Sequence, residues 1–244
     1  MMNPGEGEFG QLKDPTNPDC WEDYPESSIP KPCESVTASR VFRGVQLDVK
    51  RRFSDRFQLA ASYLYSKLEG NYDGFVNQRY GQAAPALNAD FDTPDTLINA
   101  YGALSLDRTH QVRLTGFYVF GFGLQTGVNA SFATGAPLSV TGWSQSGYLK
   151  YLEPRGSWDQ LPSTYNVDLH LEYSLRLGPV TLSPIVDVFN LTNVQFPTKR
   201  GENYNDDPEA DQSPPYTNPT IPQFGKDIVW QNPRVVRIGA RVSY

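Results

Sequence analysis

Nowhere in these 244 residues do about eighteen apolar residues run together, which excludes a membrane-spanning helix, since such a helix needs roughly 20 of them. It does not exclude a membrane wall of strands, which are only half apolar. Cysteine, histidine and methionine occur twice each. With so few ligands and bases, and with no HExxH, P-loop, Ser-His-Asp arrangement or dinucleotide fingerprint, a catalytic or metal centre has little to be built from, and no enzyme is expected. The 21 Lys and Arg residues are scattered among 27 Asp and Glu, and without a basic stripe nucleic acid is not an expected partner. The opening MMNPGEGEFG has neither the basic n-region nor the apolar h-region of a secretory signal. For an exported protein that is a conflict, resolved if the true start lies upstream.

Aromatic residues, Gly and Pro, by contrast, are plentiful, which favours strands joined by turns. The two cysteines, Cys20 and Cys33, share the segment DCWEDYPESSIPKPC. In an oxidising compartment they are expected to close a short disulfide loop, the alternative being two idle thiols.

Period-two alternation appears in stretches of about ten to thirteen residues. Val45, Leu47, Val49 and Phe53 alternate with Gln46, Asp48, Lys50 and Arg52; Phe57, Leu59, Ala61, Tyr63 and Tyr65 with Gln58, Ala60, Ser62 and Ser66. Val112, Leu114, Tyr118 and Phe120 then oppose Gln111, Arg113 and Thr115, and Leu124, Val128, Ala130 and Phe132 oppose Gln125, Asn129 and Ser131. From Tyr165 to Leu177 the polar side carries Asp168, His170, Glu172 and Arg176. Val180 to Asn190 follows, and the chain closes on Ile238, Ala240, Val242 and Tyr244 alternating with Arg237, Gly239, Arg241 and Ser243. Seven strands are expected.

Connection lengths separate a membrane wall from a soluble sandwich, which also alternates. Ser54-Asp55, Gly121-Phe122-Gly123 and Gly178-Pro179 make short turns. Between them lie connections of about thirty to forty residues, far beyond the usual loop. Strict alternation of short and long puts all turns at one end of an antiparallel sheet, the plan of an outer-membrane barrel with short periplasmic turns and long extracellular loops. The predicted fold is therefore an all-β, transmembrane, antiparallel up-and-down barrel, with residues 39–244 as its C-terminal portion of seven or eight strands and residues 1–38 as an extracellular loop segment. Single-chain bacterial barrels have an even strand number and leave no edge in lipid, so further strands are expected upstream. Two rivals remain: a soluble β-sandwich that binds carbohydrate, and a small surface or adhesion barrel with an eighth strand hidden near Leu138 to Tyr151.

From about Arg40 to Tyr244 the sequence resembles the end of a TonB-dependent receptor of the Oar-like group. The resemblance rests on YSKLEGNYDG, SLDRTHQVRLTG, ATGAPLSV, PRGSWDQLPSTYNVDLHLEYS, VDVFNLTN and WQNPRVVRIGARVSY, in that order. It implies TonB-dependent uptake of a large solute through a barrel of about twenty-two strands closed by a plug, with this chain supplying wall and loops and the plug and TonB box lying outside it. It implies as partners outer-membrane lipid, the rest of the receptor, TonB through that part, and the barrel insertion machinery. Ile238, Ala240, Val242 and Tyr244 resemble the C-terminal insertion signal, though the family usually ends in Phe.

The lumen-facing residues Asp168, His170, Glu172, Arg176, Arg237 and Arg241 are expected to pair across strands, the alternative being a solute path or a plug contact. Tyr72, Tyr80, Trp143, Trp158 and Tyr204 are available to stack on a ligand from the loops, or to pin the loops themselves. No cofactor is expected. The acidic run Asn203 to Asp211 and the cluster Asp90, Asp92 and Asp95 supply oxygens of the kind Ca²⁺ takes, against a plainly solvated loop.

Overall fold

The computed structural model describes residues 37–74, 91, 94–144, 147–207 and 212–244. Cys20, Cys33, Tyr80, Asp90, Asp92 and Asp211 lie outside the described residues, as does most of the segment 1–38.

Among the described residues, seven long strands form one antiparallel sheet: β1 (Arg40–Ser54), β2 (Phe57–Gly70), β3 (His110–Val119), β4 (Leu124–Ala133), β5 (Thr164–Tyr173, continued by Leu175–Leu177), β6 (Val180–Phe189) and β7 (Val235–Ser243), with the two-residue strand Gly102–Ala103 paired to the loop end of β2. Each pairs with the next in chain order, so the sheet is an up-and-down meander. The three short turns fall at one end. At the first, Asp55 and Arg56 both take positive φ, 51° and 67°. That is the double left-handed geometry of a hairpin turn whose twist matches the strands, here held without glycine. Gly178, at φ 69°, begins the third turn, where glycine takes that conformation at the least cost.

Directly opposed residues share a face. Leu47 faces Tyr63 and Tyr63 faces Val112; Leu169 faces both Val128 and Val188; Val186 faces Ile238. One face is thus apolar across all seven strands, and it is open: Val45 is 71% exposed, Leu47 63%, Ile238 79% and Val242 63%. No second sheet covers it among the described residues, as a sandwich would require. An apolar face this wide is costly against water and suited to lipid.

Phe53 departs from the expected pattern. A bulge between Arg51 and Ser54 shifts the β1–β2 register by one, and a one-residue shift exchanges faces. Phe53 accordingly packs against Phe117, at 6.4 Å between ring centroids, on the polar face, and Arg51 takes the apolar side.

The best-buried residues lie outside the sheet, in a cap made by the long connections. Leu104, Val140, Thr141 and Asn205 have at most 1% exposure, and Trp158 packs on the cluster Ala136, Leu138 and Leu161. Residues Thr141–Trp143, Leu149–Tyr151 and Asn203–Asn205 make a small sheet in this cap. The stretch from Leu138 to Tyr151 therefore adds no eighth strand to the wall. At Gly135 an added Cβ would lie 1.5 Å from the Leu161 carbonyl oxygen, so two backbones meet there with no room for a side chain.

Gly135→Ala should therefore open the cap without disturbing the wall, whereas Gly239→Ala, whose Cβ would meet nothing within 4 Å, should be silent. Limited proteolysis of the loops, run beside the heat-dependent gel shift of a folded barrel, separates the two. Intact loops in the Gly135 variant would disprove the close approach.

Candidate functional site

Three regions carry the chemistry: the polar face, the two margins of the apolar face, and the cap.

On the polar face, β5, β6 and β7 place a charged ladder. His170 is opposite Asp187, and Asp187 opposite Arg237. His170 Nδ1 and Asp187 Oδ1 are 2.6 Å apart, and the Arg237 guanidinium donates to Asp187 Oδ2 from Nε at 2.9 Å and lies 2.8 Å away at its terminal nitrogen. One step toward the turns, the Arg241 guanidinium reaches Glu172 at 3.1 Å, and His170 Nε2 lies 3.8 Å from the same carboxylate. One step toward the loops, Asp168 accepts from the Asn190 backbone N–H at 2.9 Å and the Asn166 amide at 2.7 Å. The ladder has room because β4 carries Gly127 opposite His170, where a Cβ would sit 3.3 Å from the His170 Cβ. Of the expected polar residues, five join this network. Arg176, opposite Thr181, shares the face and is exposed.

The apolar face is bounded by two aromatic rows. At the turn end lie Phe57, Tyr118, Phe120 and Phe122, in successive contacts of 6.5, 4.7 and 5.3 Å, with Tyr173 and Tyr244 on later strands. At the loop end His110 stacks on Tyr63 at 6.1 Å, lies 5.4 Å from Tyr65 and shares a 2.9 Å hydrogen bond with the Tyr63 hydroxyl. Tyr165 against Phe196, at 5.0 Å, continues the row. From Phe57 to Tyr65, and again from Tyr165 to Tyr173, is eight residues, about 26 Å of strand and roughly 20 Å of height once tilted. That matches an apolar band with amphipathic rings at both margins. Ile238, Ala240 and Val242 lie on this face opposite Val186, Pro184 and Leu182, and Tyr244 is fully exposed at its turn-end margin.

In the cap, the pieces that carried the family resemblance are its fastenings. Within SLDRTH, Asp107 accepts from the Leu68 N–H at 3.0 Å, Arg108 donates to the Thr134 carbonyl at 3.2 Å, and the Thr109 carbonyl accepts from Ser66 N. Burial pushes the Asp107 carboxyl up and lowers the Arg108 guanidinium. In PRGSW, Arg155 meets Asp73 in an ion pair with both side chains 3% exposed, and lies 5.0 Å over the Tyr151 ring. Arg200 joins two connections by bonds to Asp159 at 2.7 Å and Asp227 at 2.8 Å, the Asp227 bond chiefly holding it above its ordinary range.

The loop aromatics are largely engaged with one another. Trp158 stacks on Phe224 at 4.9 Å. Tyr204, 4% exposed, meets Tyr216 at 5.3 Å and Phe224 at 5.2 Å. The Tyr216 hydroxyl is pushed up to about 12, first by burial and then by the Glu153 carboxylate. Tyr72 packs edge-on to Phe91, and the Trp143 carbonyl accepts from Gln212. Among the described members of the acidic stretches, Asp206 accepts from the Thr220 hydroxyl at 2.6 Å. The described Asp, Glu, His and Cys residues form no group of three suited to a metal ion.

Sequence reasoning passed over Asn190 and Asn193. The Asn190 amide donates to the Val194 and Asn232 carbonyls at 2.9 Å each, and Asn193 accepts from Arg234 N. Together they clamp both ends of the last long connection. Their positive φ values, 49° and 54°, are what an Asn after a strand allows.

Asp187→Ala should lower the unfolding midpoint, because it strips charge-assisted bonds from His170 and from a largely exposed Arg237. Arg176→Ala should cost nearly nothing. Urea unfolding in detergent micelles reads both, and equal midpoints would show the ladder to be idle.

The chain is 31% identical over 169 residues to the TonB-dependent transporter Oar of Myxococcus xanthus, a match covering 66% of this chain and 16% of that protein. The chain thus spans about a sixth of its relative's length. No family model matches. Among solved structures, the ferripyoverdine receptor of the outer membrane of Pseudomonas aeruginosa aligns with 88% of the chain and 21% of its own, at 13% identity and a TM-score of 0.47. The ferric-catecholate import receptor Fiu of E. coli K12 aligns with 86% and 22%, at 12% identity and a TM-score of 0.49. By its sequence the chain is a relative of the TonB-dependent receptors of the Oar-like group, and its sheet is part of an outer-membrane β-barrel wall.

Proposed function

We propose that this chain forms part of the wall and the loop cap of an outer-membrane transporter that takes up a large solute with energy supplied through TonB. It is a transporter component and not an enzyme. The observation that carries the reading is the division of one sheet of seven long strands into an open apolar face and a charged face, with the described parts of the three long connections gathered into a packed cap at one end. A wall with a polar interior suits passage of a hydrated solute, and the cap stands where a solute from outside would first arrive. The relationship to a TonB-dependent transporter supports the energy source.

Within this reading the remaining partners follow. The apolar face meets outer-membrane lipid; the open edges of β1 and β7 meet the rest of the receptor; the terminal Ile238, Ala240, Val242 and Tyr244 are read by the insertion machinery. Trp143, Tyr72 and Tyr80 serve as ligand contacts on the loops, while Trp158 and Tyr204, stacked on Phe224, pin the loops. The transporter needs no cofactor, and calcium added to the acidic stretch near Asn203 raises its melting temperature only if that stretch takes an ion.

Solute profiling of spent medium tests the function. A strain deleted for the gene should leave behind one or more large solutes that its parent depletes, and a strain lacking TonB should leave the same ones. Identical depletion by parent and deletion strain, or losses unaffected by TonB, would remove the transport reading.

A further inference from the structure

The two margins of the apolar face treat positive charge differently. At the turn end Arg51 is neutralised within its own hairpin: its guanidinium lies 3.2 Å from Asp55 and 5.5 Å over the Phe57 ring. At the loop end Arg43 and Lys67 stand directly opposite one another on β1 and β2. Both project from the apolar side, since Arg43 follows the alternation of Val45 and Leu47, and Lys67 that of Tyr63 and Tyr65. Like charges placed in register repel unless an anion lies between them.

Among the described residues, the surroundings supply only part of that anion. Glu69, one step farther from the band, reaches Lys67 at 2.7 Å and Asp107 attracts Lys67 more weakly, so the two cations in register share one direct carboxylate contact. Val41, Arg43, Gly44, Val45, Tyr65, Lys67 and Glu69 together line a shallow cleft. Its floor is apolar, its rim is cationic, and it sits just beyond the row of Tyr63, Tyr65 and His110 that marks the edge of the hydrocarbon. Long cationic stems laid over apolar residues, with their heads at that edge, meet lipid headgroups at phosphate depth.

We propose that this cleft binds a phosphate-bearing lipid of the outer leaflet, with the Arg43 guanidinium and the Lys67 ammonium on the phosphate and an acyl chain along Val45 and Tyr65. Arginine suits the role because its planar fork takes two phosphate oxygens at once. The site depends on the membrane placement of the sheet and not on which solute crosses, so a failure here would leave the transport reading standing.

The test uses the protein extracted from outer membranes in mild detergent, with lipid-bound phosphate measured after size exclusion. The Arg43→Gln/Lys67→Gln variant should retain at least about fivefold less than the parent, and Arg43→Lys/Lys67→Arg should retain most of it. On the unaltered protein, lipid A bearing its phosphates should raise the melting temperature in detergent, while dephosphorylated lipid A and free inorganic phosphate should not. Equal retention by the glutamine variant would overturn the site, as would an equal response to dephosphorylated lipid. If the glutamine variant fails to show the heat-dependent gel shift of a folded barrel, the lipid comparison on the parent decides. A response to free phosphate as large as that to lipid would also overturn it, making the cleft a general anion site.

Discussion

Register across seven strands is the constraint on which the rest of this chain depends. Each strand has one face for lipid and one for the lumen, and a slip of a single residue would send Val45, Leu47 and Val49 into the lumen and Asp48 and Lys50 into hydrocarbon. The hairpin turns hold the strands in step at one end. The charged ladder holds them on the polar face, where His170, Asp187 and Arg237 can meet only if β5, β6 and β7 are aligned as they are. The single irregularity, between Arg51 and Ser54, falls beside a turn, where the exchange of faces strands no charge in the middle of the band.

A wall with lipid on one side and solvent on the other has little interior of its own, which explains why the densest packing lies elsewhere. The long connections bury Leu104, Val140 and Leu138 and cross-link through Arg155 with Asp73 and Arg200 with Asp159 and Asp227. Loops of this length would otherwise be costly to order. Each is shortened in effect by anchors near its base: Asp107 and Arg108 on the first, Gly135 against Leu161 on the second, Asn190 and Asn193 on the third.

This division sets what could be read from the sequence. Strands and turns were legible because alternation and short glycine or aspartate turns are local signals, and the face of nearly every wall residue follows from parity. Phe53 was not, since a bulge adds a residue without changing the composition around it. The cap was legible only as six family pieces whose order was recognisable and whose work was not. Asp107, Arg155 and Asn190 each act through a partner about forty to eighty residues away, Leu68, Asp73 and Asn232, and no period in a sequence reports a partner at that distance. The loop aromatics were seen as available surfaces, while Trp158 and Tyr204 have their rings turned on Phe224, a preference for intramolecular stacking that composition does not reveal.

The ladder also bears on where selectivity can reside. Asp187 is shared between His170 and Arg237, and Glu172 is held by Arg241, so most of the charge on the polar face of β5 to β7 is matched within the wall. Asp168 is occupied by Asn166 and the Asn190 backbone. A passing solute would meet paired groups already satisfied, and displacing them would cost their mutual bonds before any new ones formed. A surface of that kind keeps the interior hydrated and the strands in register while discriminating weakly. On the proposed transport reading, discrimination by this chain falls to the cap, where connections distant in sequence converge and share buried residues.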